Sequence, residues 1–139
     1  MREILFRGKR KDNAEWVYGA YCGIDCDSPF GEMKEKSNII KYDKPCDGFW
    51  FEVHKESVGQ YTGQKDENEK RIFEGDIVTV RSSGIDEDDG YGVVSWDAGD
   101  SLFVIVFEGL TISFDNVYGR ECEIVGNRFD NPELLGVLQ

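Results

Sequence analysis

Residues 57–80, SVGQYTGQKDENEKRIFEGDIVTV, alternate short β-prone runs with glycines and acidic turns. Runs of this kind bounded by Gly, Asn and Asp are typical of strands joined by turns. The polar segment Asp66 to Lys70 predicts a turn, and Arg71 to Arg81 contains a strand that is entered through Gly75 and Asp76. Glycine at this entry permits a positive φ, and Asp76 can accept hydrogen bonds from nearby backbone amides.

The strand pattern continues toward the C-terminus. Ile77 to Val80 and Tyr91 to Trp96 flank a polar tract, which predicts a hairpin with a long tip. Leu102 to Phe107 is apolar on both faces and is therefore expected as the central strand. Leu110 to Phe114 alternates and should be half-buried, and Glu121 to Phe129 completes the strands.

The N-terminal part also predicts hairpins. Ile4 to Phe6 and Trp16 to Tyr21 bracket a turn-forming segment, and Ile39 to Tyr42 and Gly48 to Val53 are two further candidate strands. We therefore expect a mainly β protein of short antiparallel strands and hairpins. Residues 1–56 would form an N-terminal β-hairpin subdomain, and residues 57–139 an SH3-like small β-barrel that shares a core with it.

One short C-terminal helix completes the expected fold. Asn131 can cap a helix, Pro132 suits its first position, and the carboxylate of Glu133 faces the positive end of the helix dipole. At most two turns fit before Gln139.

Length and charge restrict the class of protein. The chain has 139 residues and a net charge of −12, which is enough length to bury a core and a strongly anionic balance. It has neither an apolar run long enough to span a membrane nor a signal-peptide pattern, so we expect a cytoplasmic protein with no membrane partner. Because an anionic surface repels phosphates, nucleic acid is an unfavoured partner. The basic run Arg7 to Lys11 is interpreted as a solvated hairpin turn.

Cysteine spacing does not support a metal site. Cys22 and Cys26 form the one closely spaced pair, while Cys46 and Cys122 lie far away in the sequence. Zinc sites typically use two close pairs. We expect free thiols, no metal and no cofactor.

The chain also offers few groups for catalysis. His54 is the single histidine, and its neighbour in sequence Ser57 is not thereby its neighbour in space. Glu74 and Asp76 are two residues apart and would face the same side of a strand, where they could hold a cation or divide acid and base roles. The simpler interpretation is that Asp76 binds turn amides. The acidic tract Asp86 to Asp89 lacks the ligand order of a calcium loop. The expected protein is not an enzyme.

Four blocks of sequence, in order, resemble the YopX-like family of phage and prophage proteins. The blocks are Ile4-Leu5-Phe6-Arg7-Gly8-Lys9 with Glu15-Trp16-Val17-Tyr18-Gly19, Val58-Gly59-Gln60-Tyr61-Thr62-Gly63 with Asp66, Ile72-Phe73-Glu74-Gly75-Asp76-Ile77-Val78, and Val125-Gly126-Asn127 with Asn131-Pro132-Glu133-Leu134-Leu135. Two positions depart from the family pattern. Gln64 stands where an apolar residue is common, and Glu69 where the family often has the glycine of an Asn-Gly turn. The resemblance implies a phage or prophage origin and a biochemical role that is unassigned.

Two hypotheses follow from these observations. The favoured one is a non-catalytic protein–protein interaction module that self-associates, with a phage or host protein as a further partner. The alternative is a nucleic-acid-related accessory, either an SH3-like binder that uses Arg7, Lys9, Arg10 and Lys11 or an acidic DNA mimic that acts on a host DNA-binding protein. Most aromatic residues are expected to fill the core, and Tyr61, Tyr91 and Trp50 are the candidates for surface contacts. The expected binding surface follows the family motif and comprises Gln60, Tyr61, Thr62, Asp66, Glu74 and Asp76.

Overall fold

A computed structural model describes residues 4–24, 35–41, 50–81, 90–114 and 121–138. The chain divides into two compact units, Met1–Gln60 and Tyr61–Gln139. The sequence placed a boundary four residues earlier, after residue 56. Both units consist mainly of antiparallel strands, as the sequence predicted. No helix in the described ranges is long and apolar enough to cross a bilayer.

The first unit is a sheet with the strand order β4-β3-β2-β1, followed by the start of β5. Its strands are β1 (Phe6–Lys9), β2 (Trp16–Ile24), β3 (Glu35–Lys41), β4 (Trp50–Glu52) and β5 (Gly59–Lys65), with a 3-10 turn at Lys55–Ser57. The predicted N-terminal hairpin is confirmed, and Phe6 pairs with Gly19 in its register. Its first strand starts later than predicted, so Arg7 and Lys9 of the basic run belong to β1 and not to the turn.

Val17 and Val53 form the buried core of this unit. Gly8 of β1 lies so close to Val53 that a Cβ at residue 8 would come within 2.8 Å of the Cγ2 atom of Val53. The close approach explains why a glycine occupies the middle of a strand, where it otherwise weakens pairing.

The second unit contains a five-stranded sheet with the order β10-β9-β8-β7-β11. Its strands are β7 (Asp76–Val80), β8 (Gly92–Asp97), β9 (Leu102–Phe107), β10 (Leu110–Ser113) and β11 (Cys122–Asn127), and the short β6 (Arg71–Phe73) pairs with β5. Alternation places one face of each strand in a common core. The buried core residues are Ile72, Val78, Val80, Val94, Ile105, Phe107 and Cys122.

The apolar run at Leu102–Phe107 forms a strand with neighbours on both sides, but the central strand of the sheet is β8 and not, as its apolar faces predicted, this one. The predicted SH3-like barrel is not confirmed, because β10 and β11 lie at opposite edges of the sheet and do not pair in the described part of the chain. The predicted short helix is present as a 3-10 helix at Pro132–Leu138. The side-chain oxygen of Asn131 does not cap this helix but accepts the backbone N–H of Asn127 at 3.2 Å.

Candidate functional site

Asp66 is a polar side chain of the family motif whose two carboxylate oxygens accept three backbone N–H groups. It is 2% exposed and lies between β5 and β6. Its Oδ1 atom accepts the backbone N–H groups of Asn68 and Lys70, each at 2.9 Å. Its Oδ2 atom accepts the backbone N–H of Ile124 in β11 at 3.1 Å. A short polar side chain that binds amides two and four residues ahead is a typical organiser of a turn.

The turn that Asp66 organises lies against the edge of β11. In addition to the Asp66–Ile124 bond, the backbone N–H of Glu67 donates to the carbonyl of Cys122 at 2.9 Å. We call residues 66–70 the edge turn. Its contacts join two segments that are 58 residues apart in sequence.

The carboxylate of Asp76 binds the turn that leads into β7. Asp76 is 1% exposed, and its Oδ2 accepts the backbone N–H of Phe73 at 2.7 Å. Gly75 between them has φ +94°, so the glycine supplies a left-handed turn. The N–H of Gly75 donates to Val94 at 2.7 Å. The interpretation of Asp76 as the acceptor of a turn amide is confirmed.

The other residues of the expected binding surface also serve the fold. Tyr61 is 5% exposed and packs on the ring of Phe73, with 5.6 Å between centroids. The Oγ1 atom of Thr62 donates to the carbonyl of Ile72 at 2.8 Å. The expectation of a shared surface was therefore wrong for Tyr61, Asp66 and Asp76, because their side chains are buried by packing or by backbone hydrogen bonds. Gln60, Thr62 and Glu74 are half-buried.

The basic run contacts Asp12 in its own hairpin and Phe51 and Glu52 in β4. The guanidinium of Arg10 lies 4.2 Å from the centroid of the Phe51 ring and binds both carboxylate oxygens of Asp12 at 2.8 and 2.6 Å. This hydrogen bond lowers the pKa of Asp12 and raises that of Arg10. Lys11 pairs with Glu52 at 3.1 Å, and Arg7 is 8% exposed. The interpretation of the run as a solvated hairpin turn was therefore wrong for Arg7, which is buried, whereas Lys11 is exposed.

Trp96 is an exposed aromatic residue that the sequence interpretation missed. It is 45% exposed near the end of β8, and the Phe103 ring meets it edge-on with 4.9 Å between centroids. Its place two residues before the Ala98-Gly99 turn is a usable signal, since a strand end is less covered than its centre. Tyr91 is exposed as expected, whereas Trp50 is half-buried.

Neither cysteine with a described position suggests a metal site. Neither Cys22 nor Cys122 is in a disulfide bond. Burial raises the pKa of Cys122 to about 11, with smaller contributions from the charges of Glu121 and Asp66. No group of three or more His, Cys, Asp or Glu side chains is arranged to hold a metal within the described ranges. Cys26, Cys46 and the acidic tract Asp86 to Asp89 lie outside the described residues.

The two edges of the five-stranded sheet differ in their surroundings. The edge turn occupies β11, whereas β10 is hydrogen-bonded to β9 and to no other strand of the described chain. The two-residue turn Glu108-Gly109 makes Phe107 and Leu110 the closing pair. Since hydrogen-bonded and non-hydrogen-bonded pairs alternate along antiparallel strands, the backbone N–H and C=O of Thr111 point away from β9. This edge is the candidate functional site.

Comparison with known protein families identifies a family for this chain. A family model described as YopX protein matches residues 5–136, which is nearly the whole chain. No curated protein matches.

Proposed function

The chain belongs to the YopX family, and from this premise we propose that it is a phage- or prophage-encoded, non-catalytic protein interaction module that self-associates in the cytoplasm of the bacterial host. The observation that carries the proposal is the position of β10 at an edge of the five-stranded sheet, with Thr111 exposed. An edge strand presents unpaired backbone groups and readily pairs with another chain unless it is protected.

The sequence of β10 favours pairing. Leu110-Thr111-Ile112-Ser113 contains neither a charged residue nor a proline, the two devices by which proteins commonly protect edges. The two short strands β4 and β6 have three residues each and are poor templates. The meander from β7 to β10, with β11 returning to β7, also has the connectivity of an SH3-like barrel, which we propose as the architecture of this unit.

Mass measurement of the full chain tests the proposal. We expect size-exclusion chromatography with light scattering to give a dimer and Thr111→Lys to give a monomer, because two lysines would face each other across the interface. Glu56→Gln changes the net charge by the same single unit at an exposed residue of the first unit and is expected to remain dimeric. A monomeric wild-type protein at every concentration would refute self-association.

The nucleic-acid alternative has less support. Arg10 and Lys11, two of its four cationic contacts, are paired with Asp12 and Glu52. Titration of duplex and single-stranded DNA at low and high salt tests it, because binding through phosphates weakens steeply as salt rises. Binding that falls with salt would revive this alternative.

A further inference from the structure

The edge turn forms hydrogen bonds with backbone groups of β11 that would otherwise be available to another strand. The N–H of Arg81 donates to the carbonyl of Glu121 at 2.8 Å, which marks the hydrogen-bonded phase between β11 and β7. Because hydrogen-bonded and non-hydrogen-bonded pairs alternate, Cys122 and Ile124 direct their backbone groups away from β7. The carbonyl of Cys122 accepts the N–H of Glu67 at 2.9 Å, and the N–H of Ile124 donates to Asp66 at 3.1 Å. A loop that covers a strand in this way prevents edge-to-edge pairing.

We infer that the edge turn is an assembly guard, an inference that rests on the proposed self-association. By covering the edge of β11, the edge turn restricts pairing of the five-stranded sheet to β10. It thereby limits the assembly to a two-fold dimer with a second copy of this chain. Pairing of β10 with its own copy uses the same edge twice and is closed. If β11 were open as well, β10 of one copy could pair with β11 of the next, and growth would continue.

The β10 strand is suited to pairing with itself. The backbone groups of Thr111 point outward, so an antiparallel pair centred on Thr111 places this residue opposite Thr111 of the second copy. The same register places Leu110 opposite Ile112 of the second copy. Thr–Thr pairs and aliphatic pairs are both favourable across antiparallel strands. A second copy is therefore the occupant that this edge fits.

Glu67→Pro is expected to remove the hydrogen bond between the edge turn and Cys122 while it preserves the β-turn itself. The N–H of Glu69 donates to the carbonyl of Asp66 at 3.1 Å, so Glu67 occupies the second position of a β-turn, where proline is favoured. Proline cannot donate to Cys122, and its ring does not allow a 2.9 Å approach to that carbonyl. Glu67→Ala is the matched control, because it makes the same change in charge and loses the same contact with Arg81 but keeps the N–H.

Sedimentation velocity across a concentration series gives the readout. We expect dimers for the wild type and Glu67→Ala, and species larger than dimers for Glu67→Pro. We expect monomers for Thr111→Lys and dimers again for Thr111→Lys/Glu67→Pro, because that double variant exchanges one open edge for the other. A folded Glu67→Pro protein that remains a dimer would refute the role of the edge turn as an assembly guard and would leave the proposed self-association intact. A monomeric wild type would overturn both.

Hydrogen exchange of the wild type decides the question if Glu67→Pro does not fold. The guard requires the amide of Ile124 to be protected in the monomeric Thr111→Lys variant as well as in the wild type. It also requires the amide of Thr111 to gain protection as the wild-type concentration rises. Rapid exchange of Ile124 in either protein, or exchange of Thr111 that does not change with concentration, contradicts the inference.

Discussion

Glu69 has a backbone φ of +65°, in the left-handed region that favours glycine. An L-residue with a side chain pays about 1–2 kcal/mol for this conformation. The position lies in the edge turn, and it is where the YopX family often has the glycine of an Asn-Gly turn. The departure noted in the sequence therefore corresponds to a strained residue in the structure.

We predict that Glu69→Gly raises the free energy of unfolding by about 0.5–1 kcal/mol, since relief of strain exceeds the added flexibility of the unfolded chain. Urea unfolding measures the change. Glu69→Ala separates the effect of charge from that of the backbone and should gain much less. A glycine variant no more stable than the alanine variant would contradict the strain.

Cys122 gives the stability a defined pH dependence. Its pKa is raised from 9.0 to about 11, chiefly by burial. Between these values the unfolded thiol loses its proton while the folded thiol keeps it, so the unfolded state binds fewer protons. The free energy of unfolding should therefore be highest, as far as this group is concerned, below pH 9 and should fall as the pH rises toward 11.

Comparison with Cys122→Ala isolates this contribution from other groups that titrate in alkali. We expect the stability advantage of the wild type over the variant to shrink as the pH rises from about 8 to about 11. Urea unfolding at closely spaced pH values measures the difference. An advantage that stays constant over this range would show that the thiol ionises equally in both states.

At the scale of elements, Asn131, which follows β11, lies in close contact with Gly126 of that strand. A Cβ at residue 126 would come within 2.6 Å of the Oδ1 atom of Asn131. This oxygen also accepts the backbone N–H of Asn127 at 3.2 Å. Gly126 and Asn131 both belong to the last of the four sequence blocks that resemble the family. In the structure this block joins the end of β11 to the turn that follows it.

Gly126→Ala is predicted to lower the free energy of unfolding by about 1–3 kcal/mol through this overpacking. Asn131→Ala removes the oxygen that the new methyl group meets. The double variant should therefore be less destabilised than the sum of the two single variants. Thermal and urea unfolding of all three proteins measure the coupling. Strict additivity would mean that the two residues do not meet.

Local sequence patterns predicted the strands. Contacts between residues distant in sequence determined which side chains are buried and which strand edges are covered. Short runs of apolar and β-branched residues between turn residues were sufficient for β7, β8 and β9, because both are local properties of the sequence. The burial of Asp66 could not be read from a polar segment, since its partner Ile124 lies 58 residues away. Closure of the barrel was also beyond local patterns, because it depends on whether two distant edges meet.

At the scale of the whole molecule, charge opposes self-association. Each copy carries a net charge of −12, so two copies together carry −24 (2 × −12). Repulsion between them is screened as the Debye length falls from about 10 Å at 0.1 M salt to about 3 Å at 1 M. We predict that the dimer dissociation constant decreases, on the order of tenfold, over this range of NaCl. Sedimentation equilibrium measures it, with Thr111→Lys as the non-pairing control. A dimer that weakens with salt would instead be held by opposite charges, contrary to pairing through the uncharged β10 edge.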